Sequence, residues 1–137
     1  MIEKELTVEA RDEQLAAVQN FVQELLDSAG VSVKEQMQIS IAVEEIFVNI
    51  SHYAYTPDVG YATIRVRITE NPAELALTFL DRGVPYDPTK AQSPDLSLPA
   101  SEREVGGLGI FMTKQLVDKI CYEYRDGQNV LTLLRRL

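Results

Sequence analysis

Between Arg11 and Ala29, apolar side chains return every three or four positions, at Leu15, Val18, Phe21, Val22, Leu25 and Leu26. That spacing predicts a helix with one buried face, and Gly30 fits its C-terminal stop. Ser32 with Glu35 three residues on is the pattern of an N-cap and capping box. The helix it opens is predicted to reach about Ala54, where Thr56-Pro57-Asp58 breaks it. Its apolar positions are Met37, Ile41 and Val48, with Ile39, Val43, Ile46, Ile50 and Tyr53 beside them, a wide stripe expected to face a core.

Elsewhere the period is two. Ile2 to Glu9 sets Ile2, Leu6 and Val8 against Glu3, Glu5, Thr7 and Glu9. Tyr61 to Thr69 alternates Ala62, Ile64, Val66 and Ile68 with Thr63, Arg65, Arg67 and Thr69, and Asn71-Pro72 turns the chain into Glu74 to Asp81. Lys119 to Arg125 and Asn129 to Arg136 form a second hairpin pattern around Asp126-Gly127. Thr89 to Val105 has no sustained period and reads as a mobile loop of the length that is usually functional or disordered. A further helix opens at Gly106-Gly107-Leu108-Gly109 and runs to about Asp118. The expected fold is a single α/β (α+β) two-layer sandwich over residues 1–137, with a mixed, mostly antiparallel sheet and helices on one face.

Composition narrows the function. Thirteen Lys and Arg against 21 Asp and Glu leave a formal charge of -8, which argues against non-specific nucleic-acid binding. The single Cys121 forms no internal disulfide, and the single His52 excludes a multi-His metal site. A charged beginning without an apolar run is no signal peptide, and no stretch has the ~20 apolar residues a membrane span needs, so a cytoplasmic protein is expected.

Three places carry candidate chemistry. Glu45 and Asn49 lie four apart, hence one above the other on one helix face. Taken alone the pair reads as a solvated face. Asp81 continues the phase of inward Leu75, Leu77 and Phe79, placing a carboxylate at the buried end of a strand, followed by Arg82-Gly83-Val84-Pro85-Tyr86-Asp87-Pro88. Alone, that run is an ordinary turn. Gly106-Gly107-Leu108-Gly109-Ile110 puts free backbone N–H groups at a helix start, an anion site in principle and a flexible hinge otherwise.

In this order the three runs resemble the GHKL (Bergerat-fold) ATP-binding domain shared by gyrase-type ATPases and histidine-kinase catalytic domains. Ala-Val-Glu-Glu-Ile-x-x-Asn ending in Tyr-Ala-Tyr, and Asp-Arg-Gly-x-Pro-Tyr-Asp-Pro, look most like the anti-sigma-factor serine/threonine kinase family. The resemblance covers nearly the whole chain. It implies that Asn49 coordinates the Mg²⁺ of bound ATP and that Glu45, rather than Glu44, is the general base. It implies that Asp81, Gly83 and Pro85 bind the adenine end, and that Gly106, Gly107, Leu108, Gly109 and Ile110 hold the phosphates under a lid at about 89–105. Arg103 would neutralise phosphate charge, and His52 would be structural. The family often has a Thr after the glycine that begins the last strand; this chain has Gln128 there.

The implied function is an anti-sigma factor that phosphorylates a Ser or Thr of an anti-anti-sigma (STAS) partner and sequesters a sigma factor by partner switching. ADP would be the product. The implied state is a homodimer, with neither nucleic acid nor membrane as direct partner. The alternative is a non-catalytic, nucleotide-dependent module that sequesters a regulator; a base at Glu45 is what such a binder would not need. A detached histidine-kinase domain fits less well, because His52 lies inside the proposed nucleotide helix. A stand-alone ATPase would lack the transducer domain of gyrase-type enzymes.

Overall fold

The computed structural model describes residues 1–90 and 107–137, so Gly106, Arg103 and nearly all of the expected lid lie outside the described residues. Strand β1 is Ile2–Glu9. After a 3-10 turn at Asp12–Gln14 come helix α1, Leu15–Ser28, and helix α2, Val33–Tyr53. Strands β2, Tyr61–Thr69, and β3, Glu74–Asp81, follow, then a 3-10 turn at Pro88–Lys90. Helix α3, Gly107–Leu116, and strands β4, Lys119–Arg125, and β5, Gln128–Arg136, complete the chain.

The five strands form one sheet in the order β1-β2-β3-β5-β4. Every pairing in it is antiparallel, where a mixed, mostly antiparallel sheet was expected. Local chemistry sets the joints. Gly30 ends α1 at φ 75, and the Val31 N–H reaches back to the Leu26 carbonyl at 3.1 Å, so the turn satisfies an orphan helix carbonyl. Ser32 caps α2 by accepting from the Glu35 N–H at 3.2 Å. Asp126 and Gly127, at φ 55 and 76, make the two-residue turn whose twist suits a hairpin.

One face of the sheet presents Ile64, Val66, Leu75, Leu77, Phe79 and Leu133 to the helices. From α2 come Ile39, Val43, Ile46, Phe47 and Ile50. The stripe on α2 was expected to include Met37 and Ile41, yet these are 65% and 40% exposed. Apolar residues occur on both sides of α2, so periodicity alone leaves open which side packs. The side bearing Phe47 fits the sheet, and Val33, Met37 and Ile41 stand outside. His52 is exposed and turned to the chain's beginning: its Nε2 lies 2.7 Å from Asp12 Oδ2. Ser51 donates to Asp12 Oδ1 at 2.5 Å. These partners, Ser51 first, hold the Asp12 carboxyl below its ordinary range, so their contribution is present at neutral pH and lost as pH falls through that lowered value. Among the described residues no helix is long and apolar enough to cross a membrane.

Arg135 joins both helical elements to the sheet. It donates to the Leu116 carbonyl at the end of α3 at 2.9 Å and to Gln38 Oε1 on α2 at 2.6 Å. Glu35 at 3.8 Å is a looser partner. Arg135→Ala strips a charged donor from a helix C-terminus, and is expected to cost about 2 kcal/mol. Thermal denaturation should show Tm lowered by roughly 5–10 °C. Arg135→Lys should recover only part of it, because an ammonium cannot span both acceptors.

Candidate nucleotide site

Strand phase creates the polar floor of the site. Asp81 and Asn129 are register partners on β3 and β5, at the ends of the inward rows of Leu75-Leu77-Phe79 and Leu133-Leu131. Both side chains are nearly buried, at 6% and 7% exposure. Facing partners on adjacent strands place their β-carbons about 5 Å apart, so a carboxylate and a carboxamide meet directly. The Asn129 Nδ2 donates to Asp81 Oδ1 at 2.9 Å. The Gly83 N–H donates to the same oxygen at 2.9 Å. Asp81 Oδ2 accepts no hydrogen bond among the described residues, and no buried side-chain polar atom there lacks a partner, so Oδ2 is open to the space beside it. Burial pushes the Asp81 carboxyl above the ordinary range, and the two donors oppose that rise.

That space is a cavity of about 390 Å³. Its polar lining is Asn49, Asp81 and Asn129; Ile46, Ile50, Phe79 and Leu131 form its apolar walls. Tyr53, Val84, Pro85, Tyr86 and Tyr122 also line it, and Tyr53, Val84, Pro85 and Tyr86 are exposed. An apolar concavity with few convergent polar groups is the usual character of a small-molecule site.

The end of α2 positions the opening. The Val84 N–H donates to the Ala54 carbonyl at 2.8 Å. The Tyr55 hydroxyl accepts from the Arg82 N–H at 2.7 Å and donates to the Tyr61 carbonyl at 2.6 Å. Burial raises the Tyr55 and Tyr122 phenols, which therefore stay protonated donors at neutral pH. Gly83 was expected to let a flat ring approach. Its closeness is instead to protein: a β-carbon there would lie 2.6 Å from the carbonyl carbon and Cβ of Ala54, and Gly83 does not line the cavity. Beyond it, Asp87 Oδ1 accepts from the Thr89 N–H at 2.8 Å and hydroxyl at 2.5 Å, which fixes the chain where the expected lid begins.

Asn49, Asp81 and Pro85 thus share one cavity. Glu45 sits one turn before Asn49 on α2, half-buried, whereas Glu44 is exposed. The Glu45 carboxylate rests against Gly109 in the first turn of α3: a β-carbon at 109 would lie 3.2 Å from Glu45 Cδ, with the nearer oxygen closer still. Glycine is what lets α3 reach that carboxylate. The free N–H groups of the turn, which includes Gly107 and Leu108, create a positive end beside it. Ile110 was expected among the phosphate-binding residues. Its side chain is 3% exposed and packs in the core, where it seats α3. Gly106 lies outside the described residues.

Asn129 and Tyr122 line the cavity without having been expected at the site, and Tyr53 and Tyr86, expected in the α2 stripe and in the run after Asp81, line it as well. Asn129 was within reach of the argument that found Asp81, since it precedes inward Leu131 and Leu133 by two and four positions. Period gives Tyr53 an inward-facing helix position but says nothing of a cavity, and it places neither Tyr86 nor Tyr122 beside one.

The family described as the histidine kinase-like ATPase domain matches residues 8–135. The serine/threonine-protein kinase BtrW of Bordetella bronchiseptica is 32% identical over 103 residues, 74% of this chain and 71% of the relative. The serine-protein kinase RsbW of Bacillus cereus is 28% identical over 131 residues, 93% and 81% of the two chains. Among solved structures, the RsbU and RsbW domains of a Mycobacterium tuberculosis protein share the fold with a TM-score of 0.72 at 19% identity. That match covers all of this chain and 33% of the other. The SiaB–SiaC complex from Pseudomonas aeruginosa gives a TM-score of 0.55 at 14% identity, over 96% and 89% of the chains. The chain belongs to the histidine kinase-like ATPase family, an ATP-binding domain, among relatives that are serine- and serine/threonine-protein kinases.

Proposed function

We propose that the chain is an anti-sigma regulatory factor that binds Mg-ATP and transfers the γ-phosphate to a Ser or Thr of an anti-anti-sigma partner. The observation that carries the reading is the open Asp81 oxygen facing an apolar cavity that Asn49 and Asn129 also line, with Glu45 one turn before Asn49 on α2. Adenine suits such a slot: it is flat and apolar on its faces, and its exocyclic amine can donate to Asp81. Asn49 offers a hard carboxamide oxygen of the kind Mg²⁺ accepts. Among the described residues no group of three or more His, Cys, Asp or Glu could hold a metal, so phosphate oxygens and water would have to supply the other ligands. When bound, the ion supplies charge neutralisation to the phosphates.

In this reading Glu45 takes the proton of the incoming hydroxyl as its oxygen bonds to the γ-phosphorus and ADP leaves. The first turn of α3 offers backbone N–H groups to the phosphates through Gly107, Leu108 and Gly109. Release or capture of a sigma factor would follow the phosphorylation state of the partner. A second copy would have available to it the sheet face that carries no helix among the described residues, where Arg65 meets Glu5 at 3.2 Å.

Calorimetric titration of ATP and ADP, with and without Mg²⁺, tests the site. We expect binding strengthened by Mg²⁺ in the wild-type protein. Asn49→Ala should lose about tenfold or more of the Mg²⁺-dependent affinity, as expected when a charge-linked contact worth ~1.5–3 kcal/mol is removed. Equal affinities with and without Mg²⁺ would refute the role of Asn49. A protein that binds ATP yet transfers no phosphate to its partner would be the non-catalytic module instead.

A further inference from the structure

Asn129 makes four hydrogen bonds with one amide. Nδ2 donates to Asp81 Oδ1 at 2.9 Å and to the Val84 carbonyl at 3.0 Å. Oδ1 accepts from the Tyr86 N–H at 3.1 Å and from the Tyr122 hydroxyl at 2.5 Å. The orientation has no alternative: a carboxylate and a carbonyl can only accept, and a backbone N–H can only donate. The side chain is nearly buried, so each partner is held without competition from water. Its bonds reach β3, β4 and the 84–86 segment that borders the opening.

We infer that Asn129 is a positioning residue for base selection, which occupies Asp81 Oδ1 and thereby leaves Oδ2 as the acceptor presented to an amine-bearing base. The inference rests on reading the cavity as the nucleotide site and names what tunes that site's selectivity. A carboxylate free to rotate would offer either oxygen at variable angles. Tied by Asn129 and the Gly83 N–H to one oxygen, it offers the other in a fixed direction. The same amide ties the backbone on both sides of Pro85, so wall and acceptor are set by one group. A serine or threonine hydroxyl has a single donor proton and could serve Asp81 or Val84 but not both. Asn129 also supports the charged form: its hydrogen bond is the first of the two contacts that oppose the upward push of burial on the Asp81 carboxyl.

The test is the affinity ratio of ATP to inosine triphosphate, which carries a carbonyl where adenine carries its amine. Titrations would be run on the full chain with Mg²⁺ across the acid pH range. The wild-type protein should prefer ATP. Asn129→Ala should weaken ATP by roughly tenfold or more while inosine triphosphate changes little, so that the ratio collapses. The acid limb of ATP binding should also move to higher pH, because the carboxylate loses a donor. Tyr122→Phe keeps the amide but removes one anchor, and should move the ratio the same way by a smaller factor. If Asn129→Ala does not fold, Asn129→Ser and Tyr122→Phe carry the test through the same ratio. Equal weakening of both nucleotides, with the acid limb unmoved, would overturn the inference and leave Asn129 a purely structural residue. A wild-type protein without preference for ATP would overturn the adenine reading of Asp81 itself, an outcome visible before any variant is made.

Discussion

Gly83→Ala is expected to destabilise the protein by about 3 kcal/mol, the upper part of the range for overpacked sites. The added methyl would enter the space of the Ala54 backbone, and nothing there is the free end of a flexible side chain. Ala54 cannot retreat cheaply, because its carbonyl accepts the Val84 N–H at 2.8 Å and its own N–H is bonded to Ile50 at 3.0 Å. Relief would have to come from residues 82–84 moving away, which breaks the Tyr55–Arg82 bond and the Gly83–Asp81 bond together. Thermal denaturation should therefore show Tm lower by roughly 10 °C, with nucleotide affinity falling as Asp81, the proposed acceptor, shifts. Val84→Ala, at an exposed neighbouring position, should change Tm by little. A Gly83→Ala protein melting within a degree or two of the wild type would show that the 82–84 segment is not held against α2.

Glu45→Gln is expected to leave nucleotide affinity within a few-fold while slowing phosphotransfer by roughly 10²–10⁴-fold, the usual contribution of a positioned general base. The amide keeps the shape of the side chain but cannot take the hydroxyl proton. Gly109→Ala attacks the same group from the other side. Its methyl would fall on the Glu45 carboxylate, which can yield only by swinging off its place. Alanine is the better helix former by up to about 1 kcal/mol, so this variant should melt at the same temperature or slightly higher. A more stable protein with impaired transfer is a signature that a general loss of structure cannot produce. The readout is transfer of labelled phosphate from ATP to the partner protein, beside Tm and ATP affinity for each variant. Full transfer activity in Glu45→Gln would remove the base from the proposed mechanism.

Much of this was legible in one dimension because it depends on period and turn chemistry. Alternation fixed the faces of β2 and β3 and so exposed Asp81 as a carboxylate in a buried phase. Ser32, Gly30 and Asp126-Gly127 mark boundaries by their own backbone and hydrogen-bonding preferences, and all three act where expected. The four-residue spacing of Glu45 and Asn49 is a property of any α-helix.

What chain order could not decide was which groups meet. The apolar residues of α2 allow two faces, and only the shape of the sheet selects Phe47 over Met37 and Ile41. Gly83 and Gly109 look like loop glycines in sequence; their need for no side chain comes from Ala54 and Glu45, neighbours remote along the chain. Strand phase marks Asn129 as an inward polar residue, but only the pairing of β3 with β5 sets it opposite Asp81, 48 positions away. Sequence alone determined the elements, the inward faces of the strands and the residue types able to do the chemistry, since those follow from local geometry. The tertiary structure decided the cavity, the orientation of its acceptor and the contact between Glu45 and α3, since these depend on register and packing between distant segments.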